Sequence, residues 1–267
     1  MPTVISDISK ANIKLMCSLH KHKFRESNGL FVAEGIKTVN EALLWCNDKI
    51  NFAVIDKDFC NFDENKKLVD KLHEAGINVY KANQKDFWSV SDTNTPQGII
   101  AVMRKFNYDN ANAFNGDFFV FADCVQDPGN IGSIIRTADA AKADGVILTA
   151  GCADVYSPKV VRATMGSIFH IPVYYYADIA YIIKKFKAQG FKVVSGHLKA
   201  KKYFFEENYT GKTVVIAGNE SKGISSTVEE LSDALVKIPM PGHAESLNVS
   251  VATAVLMFEI VRQRLSN

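Results

Sequence analysis

From residue 118 onward, short apolar runs alternate with stretches whose apolar residues recur every three or four positions, the pattern of buried strands separated by helices. The runs fall at 118–122, 145–149, 171–175, 191–195, 213–217 and 234–238. Helices are expected from the turn after Asp127 to Lys142, near 157–167, over 179–188, and over 247–261, a segment free of Pro and Gly. This order predicts an α/β domain with a mainly parallel sheet covered on both faces. In such sheets ligands lie at the C-terminal ends of the strands.

The first hundred residues carry a second α/β pattern. A helix over 8–25 runs into a basic turn, and strands are expected at 30–33, 52–55, 77–80 and 98–102. Helices near 36–45, 64–75 and 84–89 lie between the strands. Residues 105–117, rich in Asn and Asp and poor in periodic apolar positions, read as a linker. The expected division is therefore 1–104, a linker over 105–117, and a larger domain over 118–267.

Composition narrows the class. With 267 residues, 47% hydrophobic and 22% charged, the chain can bury the cores of two ordinary domains. No apolar run reaches the roughly 18 residues that span a bilayer, because Glu259 and Arg262 interrupt the last helix. The N-terminus lacks the apolar core of an export signal, and the five cysteines form no C-x-x-C pair. These features predict a cytoplasmic protein with neither a disulfide framework nor a metal site. The net charge of +2 is too small to imply a nucleic-acid partner by itself, but the charge is unevenly spread. Lys21, Lys23 and Arg25 lie in a basic N-terminal stretch, and Lys199, Lys201 and Lys202 adjoin Tyr203, Phe204 and Phe205.

Candidate chemistry sits at three polar junctions, each directly after a buried strand. The first, Asp127-Pro128-Gly129-Asn130-Ile131-Gly132-Ser133-Ile134-Ile135-Arg136-Thr137-Ala138, lacks the glycine spacing of a dinucleotide fingerprint. It offers instead an Asn in the turn and an Arg on the helix, whose planar fork suits a phosphodiester. In the second, Ala217-Gly218-Asn219-Glu220-Ser221-Lys222-Gly223, two glycines let main-chain groups approach a flat ligand closely. The third runs from Ile238-Pro239-Met240 through a glycine to Ser246-Leu247-Asn248-Val249-Ser250, with Ser246 or Asn248 available as a helix N-cap.

Together the three junctions resemble the motifs of the SpoU (TrmH-like) branch of the SPOUT RNA methyltransferases. Asn-x-Gly-x-Ile-x-Arg-Thr-Ala appears at 130–138, Gly-x-Glu-x-x-Gly at 218–223, and Ile-Pro-Met followed by Ser-Leu-Asn-Val-Ser-Val-Ala over 238–252. Ser133 and Ser221 depart from the usual residues without removing a functional group. The first domain is similar to the family's substrate-binding module, a small ribosomal-protein-like α/β domain. The cues there are Phe31-Val32-Ala33-Glu34-Gly35 and Thr95-Pro96-Gln97-Gly98-Ile99.

The resemblance implies transfer of a methyl group from S-adenosylmethionine to a ribose 2′-hydroxyl of structured RNA, with no metal. Ribosomal RNA is the expected substrate, a transfer RNA the alternative, and a non-catalytic RNA-binding or ribosome-assembly protein the rival class. It further implies a C-terminal trefoil knot and a homodimer formed through the C-terminal domain. Main-chain groups of Gly218, Ile238 and Leu247 would hold the cofactor, with Ala217, Asn219 and Met240 beside them. Arg136 is the implied catalytic residue, as general base or as positioner of the phosphate and hydroxyl; Asn130, Glu220, Ser246 and Asn248 would orient arginine, loop and substrate. Lys21, Lys23 and Arg25, with Arg136, are the implied RNA contacts.

Overall fold

The computed structural model describes residues 5–108 and 115–266. Residues 1–4 of the expected first domain, 109–114 of the expected linker and the last residue lie outside the described residues. The chain forms two compact units, one of Met1–Asn107 with Asp154–Phe169, the other of Tyr108–Ala153 with His170–Asn267. Asp154–Phe169, which the strand-and-helix pattern assigns to the second domain, thus belongs to the first unit.

In the first unit, five strands, β1 (Ser6–Asp7), β2 (Leu30–Glu34), β3 (Ile50–Asp56), β4 (Val79–Ala82) and β5 (Ile99–Arg104), form one sheet ordered β1-β4-β3-β5-β2. β5 runs antiparallel to β2 and β3, and the other pairs are parallel. Alternate residues of each central strand feed two separate cores. Phe31, Ala33, Ile55, Ile99 and Ala101 share a cluster with residues of α3 (Ile36–Cys46), α4 (Asp63–Glu74) and the short helix Pro158–Ala163. Val32, Val54, Ile100 and Val102 share another with residues of α1 (Lys10–Ser18) and α5 (Gln84–Val90).

The helix expected over 8–25 is two helices, α1 and α2 (His22–Asn28), separated where Lys21 takes an extended backbone. The break turns Arg25 inward, where its Nη1 donates to the Leu19 carbonyl at 2.7 Å and so caps the end of α1. Arg25 Nε and Nη2 donate to Asp154 Oδ2 at 3.0 and 2.5 Å, tying down the start of the returning segment. That segment's helix is shorter than the 157–167 expected. Met165 and Gly166, at φ 53° and 102°, leave the right-handed helical region just after it.

In the second unit, seven strands, β6 (Phe118–Ala122), β7 (Gly145–Thr149), β8 (Val173–Tyr176), β9 (Lys192–Gly196), β10 (Lys202–Tyr203), β11 (Thr213–Ala217) and β12 (Ala234–Lys237), lie in the order β10-β12-β9-β11-β6-β7-β8. Every pair is parallel. Counting the short helix of the first unit as α7, the helices here are α6 (Pro128–Ala140), α8 (Ile179–Ala188), α9 (Ser226–Leu231) and α10 (Val249–Leu265). Phe119, Phe121, Ile147, Val193, Val214 and Ile216 form one core with Ile182, Ile183 and Phe186 of α8 and Val228 of α9. α6 and α10 pack on each other; α6 also packs on β7, and α10 on β9 and β11. The chain leaves β6 towards β7 and β8 on one side and returns through β9, β11 and β12 on the other, so the order reverses at the β6–β11 pair.

Candidate active site

The three polar junctions follow β6, β11 and β12, and in an all-parallel sheet they must emerge at one rim. β6 and β11 are neighbours, while β9 separates β11 from β12, so the ends of the latter two stand roughly 10 Å apart at ordinary strand spacing.

Glu220 joins the first two junctions. Its Oε1 accepts from the Gln126 and Asp127 main-chain N–H groups at 3.1 and 2.9 Å and from Asn130 Nδ2 at 3.1 Å. Its Oε2 accepts from Gln126 N at 3.1 Å. Burial pushes the Glu220 carboxyl up, but the N–H groups of Asp127 and Gln126 and the Asn130 amide outweigh it and hold the group below the ordinary carboxylate range. Through these bonds the carboxylate pins one loop to the other.

Asn130 carries the linkage onward. Its side chain is buried at the first turn of α6, a helix capped by Asp127, whose Oδ1 accepts from Asn130 N at 2.9 Å, with Pro128 just inside the cap. Asn130 Oδ1 accepts from Asn248 Nδ2 at 2.9 Å. Asn248 is the N-cap of α10, its Oδ1 accepting from Ser250 N and Val251 N at 2.9 and 3.3 Å. Capping and contact between junctions are two uses of one amide, so Asn248 both begins α10 and ties it to the first junction. Ser246 has no hydrogen-bond partner among the described residues and is exposed.

The second loop is closed by reciprocal main-chain bonds between Asn219 and Gly223, at 2.8 and 2.9 Å. A Cβ on Gly218 would stand 2.4 Å from the Gly223 carbonyl carbon and from Ile224 N, so only glycine fits this close approach. Asn219 Nδ2 donates to the Cys124 carbonyl at 2.8 Å, and its Oδ1 accepts from Ser221 N and Lys222 N. In the third loop, Pro241–248 is solvent-exposed while Ile238 and Met240 are half-buried. Among the described residues the backbone of 238–247 makes no hydrogen bond.

Arg136 lies six residues beyond Asn130 on α6, about 120° round the helix. It is exposed and makes no ion pair or hydrogen bond among the described residues. The hydrogen bonds thus bring together Asn130, Glu220 and Asn248; Ala217 ends β11 with Gly218 and Asn219 after it, Ile238 and Met240 follow β12, and Leu247 adjoins Asn248.

The N-terminal basic residues divide. Lys21 and Lys23 are exposed on α2 and its cap, whereas Arg25 is 3% exposed with its donors spent on Asp154 and Leu19. Its guanidinium is a structural tie and is not free for a phosphate, a correction to its reading as an RNA contact. The cues from the first domain are also structural: Glu34 accepts from Ser91 Oγ, Asp92 N and Thr93 Oγ1, and Gln97 Oε1 accepts from Ile36 N. Asp123 ties the same rim together and was not singled out by the sequence. Buried at the end of β6, it accepts from Thr149 Oγ1 at 3.3 Å and Ser225 N at 3.4 Å. Its signal was its place as the first polar residue after an apolar strand. Among the described residues no cluster of His, Cys, Asp or Glu could hold a metal, and no helix is long and apolar enough to cross a membrane.

Comparison with known proteins adds an independent line. Residues 117–258 match the model of the SpoU rRNA Methylase family, and residues 10–101 match that of the MRM3-like substrate binding domain. A 23S rRNA (guanosine(2553)-2′-O)-methyltransferase, RlmP, of Bacillus subtilis is 35% identical over 96% of this chain and 98% of its own. An rRNA methyltransferase from Sinorhizobium meliloti, solved with bound AdoMet, superposes with a TM-score of 0.82 at 32% identity, covering 97% of each chain. The SpoU methyltransferase AviRb from Streptomyces viridochromogenes, in complex with AdoMet, gives 0.85 at 27% identity over 97% of this chain and 100% of its own.

Proposed function

Because this chain belongs to the SpoU rRNA Methylase family, we propose that it methylates a ribose 2′-hydroxyl of ribosomal RNA, using S-adenosylmethionine as donor. The observation that carries this reading is the rim itself. There Glu220, Asn130 and Asn248 bond three loops together while the backbone of 238–247 stays unbonded among the described residues.

The residues fit the donor. The loop after Gly218 requires glycine, so its main chain can lie flat against an adenine, and unpaired N–H and C=O groups at Ile238, Met240 and Leu247 supply the complementary contacts. Bound there, the donor supplies an electrophilic sulfonium methyl. What the chain must supply is alignment, since a ribose hydroxyl is a weak nucleophile and in-line attack tolerates little misplacement. Arg136, free of internal partners among the described residues, clamps the phosphate beside the target and polarises its hydroxyl; a guanidinium, which holds its proton tightly, is poorly suited to remove another. Lys21 and Lys23 contribute phosphate contacts from the first unit.

This reading includes a C-terminal trefoil knot and a homodimer. Val251, Val255, Phe258 and Leu265 recur at helical spacing along α10, with Phe258 48% and Leu265 83% exposed, an apolar stripe suited to a second copy. A guanosine of 23S rRNA is the specific target we favour, on the likeness to the Bacillus subtilis enzyme. Mapping 2′-O-methyl groups in ribosomal RNA from cells with and without the gene tests the proposal. One site should vanish with the gene and return with the intact chain but not with Arg136→Ala; an unchanged methylation map would overturn it.

A further inference from the structure

At the edge of the seven-stranded sheet, beside the third loop, lies a cluster that the methyl-transfer site does not use. β10 pairs with β12 so that Tyr203 stands opposite Lys237, the residue immediately before Ile238. The Tyr203 and Phe205 rings are stacked, with centroids 5.5 Å apart and planes 16° from parallel. Lys237 Nζ lies over the Tyr203 ring, 5.0 Å from its centroid. Phe204 meets Phe205 edge-on at 5.2 Å. Cation and two rings thus form a short column, and Phe205, at its end, is 49% exposed.

The column rests on a built support. The Tyr203 main-chain N–H donates to Glu206 Oε2 at 2.7 Å, and Tyr209, fully buried, donates its hydroxyl to the Phe204 carbonyl at 2.8 Å. Glu207, buried below, is bonded by Lys192, by Lys202 and by Asn208 N. Lys202 is therefore occupied, while Lys199 and Lys201 are exposed and have no ion pair among the described residues. Two stacked aromatic rings held rigidly at the surface, with a third ring edge-on and unpaired lysines alongside, is an uncommon arrangement for a side of a protein that meets only water.

We propose that this column is a stacking platform for an unpaired RNA base next to the methylated nucleotide, with Phe205 as the stacking face and Lys199 and Lys201 as contacts to the adjoining phosphates. Any base presents a π-face, and a polyanionic strand complements the two free ammonium groups, so single-stranded RNA meets both halves of the surface at once. The platform begins one strand from Ile238, at the same rim as the methyl-transfer loops, so a base held there flanks the reacting ribose. The assignment rests on the methyltransferase reading for the identity of the strand, not for the chemistry of the surface.

The test uses the full chain and a fluorescein-labelled twelve-residue oligoadenylate, with anisotropy titrations at several salt concentrations. Phe205→Ala should weaken binding about 5- to 100-fold with an unchanged salt slope. Phe205→Trp should restore it, and Phe205→Leu, which keeps apolar area without a ring face, should not. Lys199→Ala and Lys201→Ala should each flatten the salt slope by about 0.7. Unchanged affinity in Phe205→Ala overturns the platform, as does full rescue by Phe205→Leu, which would point to an apolar protein contact instead. Calorimetry with S-adenosylmethionine on the unaltered chain separates the two readings. Cofactor binding together with an indifferent Phe205→Ala removes the platform alone; no cofactor binding together with a ring-dependent RNA affinity removes the methyltransferase reading and leaves the platform.

Discussion

A single amide, that of Asn248, does two jobs that substitution can separate. Asn248→Asp keeps the oxygen that caps α10 but loses the donor to Asn130 Oδ1, while Asn248→Ala loses both. Asn248→Ala should cost about 1 kcal/mol of stability for the cap, read by thermal unfolding. Asn248→Asp should keep most of that stability and still lower the methylation rate about tenfold or more; equal activity to the unaltered chain would show that the link between junctions is dispensable. Gly218→Ala sets a Cβ 2.4 Å from backbone atoms that cannot swing aside. It should lower S-adenosylmethionine affinity at least about tenfold in calorimetry, with a stability loss of about 1–3 kcal/mol. These roles were only half legible in the sequence. The residue types at 130, 220 and 248 stood out as polar groups after apolar strands, but their mutual bonds span about ninety positions or more of chain and follow from sheet order. Arg25 was misread for the same reason: its partner Asp154 is 129 residues away, so nothing local distinguishes it from Lys21 and Lys23.

At the scale of elements, the buried strands were readable because both of their faces are covered, leaving continuous apolar runs with little ambiguity of period. β10 and α9 were not. The first is two residues long and is defined by its pairing with β12, and the second, Ser226–Leu231, is capped by Ser225 but too short to show a period. α10 was readable as a helix, yet its lack of a polar face held a further message. Val251, Val255, Phe258 and Leu265 lie on the side turned from the core. Phe258→Glu should leave the fold intact, because the side chain is half-exposed, and should convert a dimer to a monomer in sedimentation velocity at micromolar concentration. A monomer from the unaltered chain would remove the stripe's proposed role.

For the whole molecule, the division into two units is not a division of the sequence into two pieces. Asp154–Phe169 leaves the second unit after β7, contributes Tyr156, Val161, Ile168 and Phe169 to the first unit's core, and returns before β8. The sequence could not reveal this excursion, since a helix near 157–167 fits equally well as a crossover in the larger sheet. Removing residues 1–105 should therefore do more than weaken RNA binding. It strips the partners from four apolar side chains, so the truncated chain should aggregate or bind a hydrophobic dye, whereas a monodisperse product with unaltered thermal stability would mean that the segment is indifferent to the first unit. The three motifs themselves were legible because chemistry, unlike packing, demands particular residue types at fixed places. The rim they form on the sheet is where function must be tested. The most direct measurement is the rate of methyl transfer from labelled S-adenosylmethionine to ribosomal RNA by Arg136→Ala at saturating cofactor. A fall of about 100-fold or more is expected, because alignment of the hydroxyl is lost while the grip on the donor is intact. A rate within a few-fold of the unaltered chain would contradict it.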